Sequence, residues 1–388
     1  MKRLLRLALR VALVLGLLAA TLAFWKREEI TRLMAVNTLF APDKITKNFT
    51  HMDKLFLIRN LSRGDGPVTP LPAGPPLALP PAVAEWIRAR NVTALVVLRH
   101  GKLVHESYHL GTSRTDLRIS WSMAKSFLSA LFGTVLAEGK IGSLDDQVTK
   151  YVPELIGSAY DGVSIRHLLN MTTGVAFNED YQDYTSDINR MGRALALGGS
   201  MDAFAASLKT RDAAPGTKWR YVSIDTHVLG MVIKGATGRD PADLMEARII
   251  QPLGLETAPY YLTDGDGTAF VLGGLNLISR DYARFGQMIL QEGRWQGRQI
   301  VPADWIAAAT AASAPGGAEY GYQWWTIAGG HGDFMSQGIY GQYMYISPRY
   351  DTVIVVNASD RGFEDTGVGD SNITMLQTIA ATDQDVSR

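Results

Sequence analysis

Strand-like segments lie near both ends of the folded part of this chain, and helical segments fill the region between them. Ala94–Leu98 and Lys102–Tyr108 flank His100-Gly101, a pattern typical of a β-hairpin. Strand-like runs then return only towards the C-terminus, at 322–327, 343–346 and 352–357. Elements in this order favour an α+β fold, in which one antiparallel sheet takes strands from both chain ends, is flanked by helices and has a helical subdomain inserted.

The middle of the chain carries the helical patterns. Apolar periodicity and helix end signals predict helical segments at 127–138, 144–155 (partly loop), 165–171, 201–208, 227–237, 241–250 and 280–292. The last of these is strongly amphipathic and is closed by Gly293.

The first 30 residues have the composition of an export signal or an anchor. An uncharged apolar stretch at 11–25 follows four basic residues, Lys2, Arg3, Arg6 and Arg10. This stretch is short for a bilayer span, which needs about 20 residues, and Thr21-Leu22-Ala23 is a poor cleavage site. A signal peptide and a membrane anchor through residues 11–25 therefore both remain open. Either one predicts an exported chain, periplasmic or anchored to the inner membrane and facing the periplasm.

A proline-rich segment precedes the main folded part. Residues 67–81 hold seven of the sixteen prolines, which is typical of an extended connector on the surface. We therefore expect a signal peptide or anchor at 1–30, an N-terminal extension and connector at 31–81, and one large domain at 82–388.

Composition excludes several classes of function. The chain has 38 Lys plus Arg and 38 Asp plus Glu, so it lacks the positive charge typical of nucleic-acid-binding proteins. It contains no Cys, which excludes disulfides, a Cys nucleophile and thiolate metal sites.

One Ser-x-x-Lys sequence, Ser122 to Lys125, stands just before the apolar helix expected from Phe127. Residues three apart share a helix face, so the hydroxyl and the amine can meet. A lysine with a lowered pKa can remove the serine proton and create a nucleophile. The alternative is an exposed serine beside a solvated lysine.

Three Tyr-x-Ser sequences could place a phenol near this pair, beginning at Tyr184, Tyr221 and Tyr345. The turn at Pro215-Gly216 and the helix expected from His227 favour Tyr221, which is followed by Ser223. The alternative is a tyrosine of the core with a satisfied hydroxyl.

A third element runs from Ser336 to Gln342 and leads into the strand expected from Tyr343. Its glycines, Gly338 and Gly341, allow a backbone to approach a ligand closely. A strand edge of this kind can donate an N–H to an oxyanion. A simple turn is the alternative.

In this order, the three elements resemble the motifs of the serine β-lactamase and penicillin-binding-protein superfamily. Further segments are similar to its class C branch, namely 142–146, 165–169, 252–255, 273–276, 282–286 and 324–325. Within the branch, the sequence looks most like the 6-aminohexanoate-oligomer hydrolases and related carboxylesterases, through residues 179–181, 186–188 and 338–342.

The resemblance implies a β-lactamase/transpeptidase-like fold and hydrolysis through an acyl-enzyme, without cofactor or metal. It implies that Ser122 is the nucleophile, that Lys125 and Tyr221 handle its proton, and that the backbone N–H groups of Ser122 and Ile339 form the oxyanion hole. It also implies substrate-binding roles for Tyr181, Asp187, Ser223, Asn276, Ser336, Gln337 and Gly338. The expected partner is a small ester or amide; the oligomeric state is not indicated.

One departure from the family pattern bears on the substrate. The third motif of the family has a lysine where this chain has Ser336, and a neutral serine cannot hold a substrate carboxylate as a cation does. We therefore expect hydrolysis of short-chain esters or of linear or cyclic amides. The alternatives are a β-lactamase or D-Ala-D-Ala carboxypeptidase, and a penicillin-binding sensor that is acylated without turnover.

His105 to His109 match the His-Glu-x-x-His sequence of zinc proteases, which binds zinc only from a helix. Here the match lies in a strand-like run, where the two histidines would be about 13 Å apart. We therefore do not expect a zinc site.

Overall fold

The structure, a computed structural model, describes residues 2–382. The helices are α1 Lys2–Trp25, α2 Arg27–Asn37, α3 Ile45–Phe49, α4 Pro81–Ala89, α5 Ala124–Ala137, α6 Ile165–Leu169, α7 Asp187–Ala196, α8 Met201–Ser207, α9 Ser223–Thr237, α10 Pro241–Met245, α11 Gln251–Leu253, α12 Ser279–Leu290, α13 Ala303–Ala309 and α14 Val368–Ala381. The strands are β1 Leu57–Asn60, β2 Val92–Arg99, β3 Lys102–Tyr108, β4 Arg118–Ile119, β5 Tyr260–Thr263, β6 Leu275–Leu277, β7 Arg294–Trp295, β8 Arg298–Gln299, β9 Trp325–Thr326, β10 Phe334–Gly338, β11 Gln342–Ser347 and β12 Thr352–Ala358.

A six-stranded antiparallel sheet in the order β3-β2-β12-β11-β10-β9 forms the centre of the fold. The hairpin of β2 and β3 turns at His100 and Gly101, which have the positive φ angles that a tight hairpin turn requires. Strands from both chain ends thus meet in one sheet, with the helical region inserted between them. The predicted α+β architecture is confirmed.

The central sheet is buried on both faces. In β2, Val96 and Leu98 contact the larger core, which includes α5, α9 and α12. Leu95 and Val97 alternate to the opposite face, where α4 and α14 cover the sheet. The β2, β11 and β12 strands are therefore almost continuously apolar.

The strand expected at 322–327 is shorter than predicted, since only Trp325–Thr326 form β9. Gln323 has a φ of 68°, which interrupts an extended chain. Its buried side-chain amide donates to the carbonyls of Leu168 and Leu169, so this residue ties the β9 segment to α6 instead of continuing the strand.

The segment at 31–81, which we expected to be an extension and connector, has structure of its own. It contains most of α2, together with α3 and β1, and β1 pairs with β5 in a second sheet of order β1-β5-β6-β4. Leu39, Phe49 and Met52 are buried in the larger core. The prolines at 67–81 follow an extended path, in which Gly74 and Leu77 donate backbone hydrogen bonds to β3.

The N-terminal helix is longer than the apolar stretch at 11–25. Arg3–Trp25 form a stretch of 23 residues whose most apolar 18-residue window has a mean hydropathy of 2.3, and none of that window is buried against the protein. At 1.5 Å per residue, this helix is long enough to cross the bilayer core of about 30 Å. Signal sequences share these properties, so the signal peptide and the anchor both remain compatible with the structure.

The His-Glu-x-x-His match begins in β3, as expected, and its last residue, His109, directly follows the strand. His105 and His109 both contact the hydroxyl of Ser107, each at 3.0 Å. No cluster of potential metal ligands is present within residues 2–382.

Candidate active site

Ser122 lies in a 3-10 turn, Trp121–Met123, that leads directly into α5. Trp121 has a φ of 42°, a left-handed conformation that a large side chain rarely adopts. The ring of Trp121 packs against those of Phe40 and Phe49, at centroid distances of 5.8 and 5.5 Å. This packing offsets a backbone strain of about 1–3 kcal/mol and holds the turn that presents Ser122.

The amine of Lys125 is buried beside the Ser122 hydroxyl. Its Nζ donates to Ser122 Oγ at 3.1 Å and to the backbone carbonyl of Leu272 at 2.9 Å. A third, longer contact joins it to Ser223 Oγ at 3.4 Å. The first turn of α5 therefore brings the Ser-x-x-Lys pair into contact, and the side chain of Lys125 is only 2% exposed.

Burial lowers the pKa of Lys125 from 10.5 to about 7, because an apolar surrounding disfavours the charged amine. The carboxylates of Glu179 and Asp225 act in the opposite direction and raise this pKa. Near neutral pH, a large fraction of Lys125 is therefore uncharged and able to accept a proton.

Tyr221 is the tyrosine that the fold brings to this pair. The Lys125 Nζ lies 5.3 Å from the centroid of its ring, which stacks on Trp325 at 5.7 Å. Burial raises the pKa of Tyr221 well above its usual value, although hydrogen bonding with Ser122 and Ser223 partly opposes this. The phenol thus keeps its proton at neutral pH.

The two other Tyr-x-Ser sequences lie in different surroundings. Tyr345 is in β11 on the face covered by α14, and its hydroxyl donates to Asp333. Tyr184 is exposed and stacks under the guanidinium of Arg193. The structure places only Tyr221 beside both Ser122 and Lys125.

The end of β10 runs against the turn that carries Ser122. A Cβ atom at Gly338 would be 2.7 Å from the Ser120 carbonyl oxygen and 3.1 Å from the Ser122 nitrogen. Glycine is therefore required for this close approach. Ile339 follows, and it lines the same cavity as Ser122.

Glu179 is a site residue to which sequence reasoning gave no role. Its carboxylate accepts hydrogen bonds from the Ser223 backbone N–H, from Ser223 Oγ at 3.2 Å and from the Tyr181 hydroxyl at 3.1 Å. Burial raises the pKa of Glu179, and the donors and Lys125 counteract the rise. The sequence signal for this segment was the similarity of residues 179–181 to the 6-aminohexanoate-oligomer hydrolases. A single glutamate in a loop belongs to no motif that would predict a role for it.

The predicted substrate-binding residues divide into two groups. Tyr181 and Ser223 line the cavity beside Ser122, and Gly338 lies against the turn that carries Ser122. Asp187 does not line this cavity but lines a second cleft with Glu179 and Tyr221, where it accepts from the Asn178 backbone N–H and pairs with Arg190 at 2.7 Å.

The placement of three further residues does not support direct substrate contact. Asn276 is fully buried in β6, where its side-chain amide donates to the Gly274 carbonyl. Gln337 alternates to the other side of β10 from Gly338 and does not line the cavity. Ser336 is 1% exposed, and its hydroxyl has no hydrogen-bond partner within the described residues.

A cavity of ≈ 370 Å³ opens beside Ser122. Ser122, Ser223 and Ile339 line it where the chemistry would occur. The rest of the lining is mostly apolar and includes Val36, Leu39, Phe40, Phe56, Ile188, Met191, Leu195, Leu262, Phe270 and Leu272. Arg193 is the one charged side chain on the lining among residues 2–382.

The pKa of Lys125 leads to a prediction about pH. We expect kcat/KM for a neutral ester to rise as pH increases through about 7 and then to level off, because only uncharged Lys125 can accept the Ser122 proton. In Glu179→Gln the midpoint should move to lower pH, since the carboxylate that raises the Lys125 pKa is gone. The exposed Glu85→Gln serves as the matched control. An unmoved midpoint in Glu179→Gln would contradict this electrostatic role.

Comparison with known proteins agrees with this geometry. The sequence profile of the Beta-lactamase family matches residues 83–374. The 6-aminohexanoate-dimer hydrolase of Paenarthrobacter ureafaciens is 29% identical over 331 residues, which cover 79% of this chain and 83% of that protein. Esterase EstB of Burkholderia gladioli is 28% identical over 193 residues, 44% of this chain and 48% of its own.

A solved structure from Bacillus anthracis, named as a candidate 6-aminohexanoate-dimer hydrolase, has a TM-score of 0.79 with this fold. It is 24% identical, and the match covers 88% of this chain and 95% of that one. The family profile covers most of the folded part and contains all three motifs. The chain therefore belongs to the β-lactamase family of serine hydrolases, in its class C-like branch.

Proposed function

We propose that this protein hydrolyses small esters or linear or cyclic amides through an acyl-enzyme formed on Ser122. The observation that carries the proposal is the contact of 3.1 Å between Ser122 Oγ and a buried Lys125 amine whose pKa is lowered to about 7. A buried amine of this kind is a base suited to neutral pH.

In this mechanism Ser122 Oγ attacks the substrate carbonyl, and its proton passes to the Lys125–Tyr221 pair. The tetrahedral intermediate then collapses, the bond to the alcohol or amine breaks, and the leaving group takes that proton. Water next attacks the acyl-enzyme with the same pair acting as base, which releases the acid and restores the Ser122 hydroxyl. Because Tyr221 remains protonated at neutral pH, it is suited to pass a proton to the leaving group.

The oxyanion of the intermediate would accept from the backbone N–H groups of Ser122 and Ile339. The close approach of Gly338 to Ser122 supports this assignment, since it brings the two backbone segments together. Each donor of such a site is worth about 10²- to 10³-fold in kcat.

The substrate class follows from the lining of the site and from the relatives. Ser336 is neutral and buried where the family pattern has a lysine, and Arg193 donates to the Tyr184 carbonyl at 2.7 Å. The third motif therefore offers no cation for a substrate carboxylate. One relative is named for an amide substrate and another as an esterase, which fits a site that acts on neutral acyl compounds.

We expect kcat/KM for p-nitrophenyl butyrate to exceed that for nitrocefin by at least about tenfold. A charge-assisted hydrogen bond to a carboxylate contributes about 1.5–3 kcal/mol, and nitrocefin would bind without one. The measurement is initial-rate kinetics on both compounds, with D-Ala-D-Ala peptides and 6-aminohexanoate dimer in the same panel. A preference for nitrocefin would favour the β-lactamase alternative. A single burst without steady release of p-nitrophenol would instead identify a sensor.

A further inference from the structure

The cavity beside Ser122 combines parts of the chain that are distant in sequence. One wall is α7, through Ile188 and Met191, and another is the end of α2 with the residues after it, Leu39 and Phe40. Most of the lining is apolar, although Asn37, Gln182, Asn189 and Arg193 also belong to it. A mostly apolar cavity of this kind can accommodate an alkyl chain.

The walls of the cavity are fixed by tertiary contacts. Arg32 of α2 donates from its Nε to the carbonyl of Ala196 at the end of α7, at 2.9 Å. The ring of Phe40 stacks on Tyr340 at 4.5 Å, next to the end of β10. The cavity is therefore preformed, so a bound chain does not have to order its own site.

A second cleft, of ≈ 650 Å³, borders the site at Glu179 and Tyr221. Its lining is more polar and includes the charged residues Asp187, Arg190 and Arg220. In the proposed mechanism Tyr221 passes a proton to the leaving group, so the alcohol or amine departs on this polar side. The apolar cavity then lies on the side of the acyl group.

We infer that the apolar cavity binds the acyl half of the substrate as an unbranched alkyl chain of medium length, attached to a small or polar alcohol or amine. This inference rests on the proposed function, since it assigns the acyl half of the substrate to the apolar cavity and the leaving group to the polar cleft. It extends the short-chain preference that the sequence predicts towards longer acyl groups. The hydrophobic effect gives a magnitude, because each buried methylene contributes about a fourfold increase in binding.

Two isomeric esters test which half of the substrate enters the cavity. Ethyl octanoate and octyl acetate have the same atoms and similar hydrophobicity, but their long chains lie on opposite sides of the ester. With the full chain in one detergent at fixed concentration, we expect kcat/KM for ethyl octanoate to be at least about tenfold higher, measured by titration of the released acid. Six additional methylenes on the acyl side would support a larger ratio if all were buried.

Gly192 offers a variant that narrows the cavity. It lies in α7 on the cavity lining, and a Cβ atom there would meet no other atom within 4 Å. In Gly192→Leu the new side chain occupies the space of the substrate chain, and we expect the ethyl octanoate to octyl acetate ratio to fall at least about fivefold. Gly369→Leu is the matched control, because Gly369 is also helical and unobstructed but lies in α14, away from the cavity. Leucine has the higher helix propensity, so neither change should unfold the protein.

The outcomes are distinct. A high ratio that falls in Gly192→Leu and persists in Gly369→Leu supports the inference. A ratio near or below one, with turnover that Ser122→Ala abolishes, overturns the inference and leaves the proposed function standing. An equal loss on both esters in Gly192→Leu also overturns it. Failure of the wild type to hydrolyse the two esters, p-nitrophenyl acetate and 6-aminohexanoate dimer overturns the proposed function itself.

Discussion

Ser122→Ala is expected to lower kcat for p-nitrophenyl butyrate by at least about a thousandfold. The hydroxyl is the proposed nucleophile, and loss of such a group from a catalytic serine site costs several orders of magnitude. The change removes one oxygen atom and leaves the backbone of the turn as it is. Initial rates in the wild type and the variant measure the effect, and a fluorophosphonate should label the wild type at Ser122 in a peptide map.

Two controls accompany this variant. Its thermal unfolding should match that of the wild type within a few degrees, because the hydrogen bonds of the hydroxyl to the described residues involve just the Lys125 amine and the Tyr221 phenol. Ser107→Ala removes a serine hydroxyl in β3 and should leave the rate unchanged. Retention of more than about a tenth of wild-type activity in Ser122→Ala is incompatible with a nucleophilic role.

Tyr221→Phe should reduce kcat by about 10²- to 10⁴-fold, the range typical of a positioned acid or base. The substitution keeps the ring that stacks on Trp325 and removes only the phenolic proton. KM should change far less than kcat if the hydroxyl acts by transferring a proton in the transition state. Steady-state kinetics at several pH values separate these effects.

Tyr345→Phe and Tyr184→Phe are the matched variants, since each removes a phenolic hydroxyl from another Tyr-x-Ser sequence. Tyr345→Phe breaks a buried hydrogen bond to Asp333, so it should lower stability by about 1 kcal/mol without a comparable loss of kcat. Tyr184→Phe should change little, because the ring is exposed. A larger loss of kcat in either one than in Tyr221→Phe would show that a different tyrosine serves the site.

The centre of the main sheet could be predicted from sequence because β2 and β12 are long and apolar on both faces. β3 is less apolar, and the turn at His100-Gly101 that joins it to β2 is the signal that predicts it. The second sheet could not be predicted in the same way. Its strands have only two to four residues, from β4 at Arg118–Ile119 to β1 at Leu57–Asn60, and segments so short acquire their conformation from neighbours.

The proximity of Ser122, Lys125 and Tyr221 was predictable because each residue belongs to a short local motif. The apolar cavity was not, because its walls come from α7 and from residues 36–56, where no periodicity indicates a function. For Asn276 and Gln337, the sequence predicted a role that their placement in the structure does not support. Resemblance gave them substrate roles, whereas burial of Asn276 and strand alternation at Gln337 direct their side chains elsewhere.

The direct connection between α1 and α2 affects how the protein would meet its substrate. α2 has 11 residues, so only about 16 Å of helix separates the end of the apolar α1 from the cavity wall. With α1 retained in a bilayer, the protein would encounter amphipathic esters by lateral diffusion. Its rate would then follow the mole fraction of ester in the bilayer and would be insensitive to dilution of the vesicles. Cleavage near Ala23 would leave α2 and the cavity intact but return the same catalytic site to kinetics governed by bulk concentration.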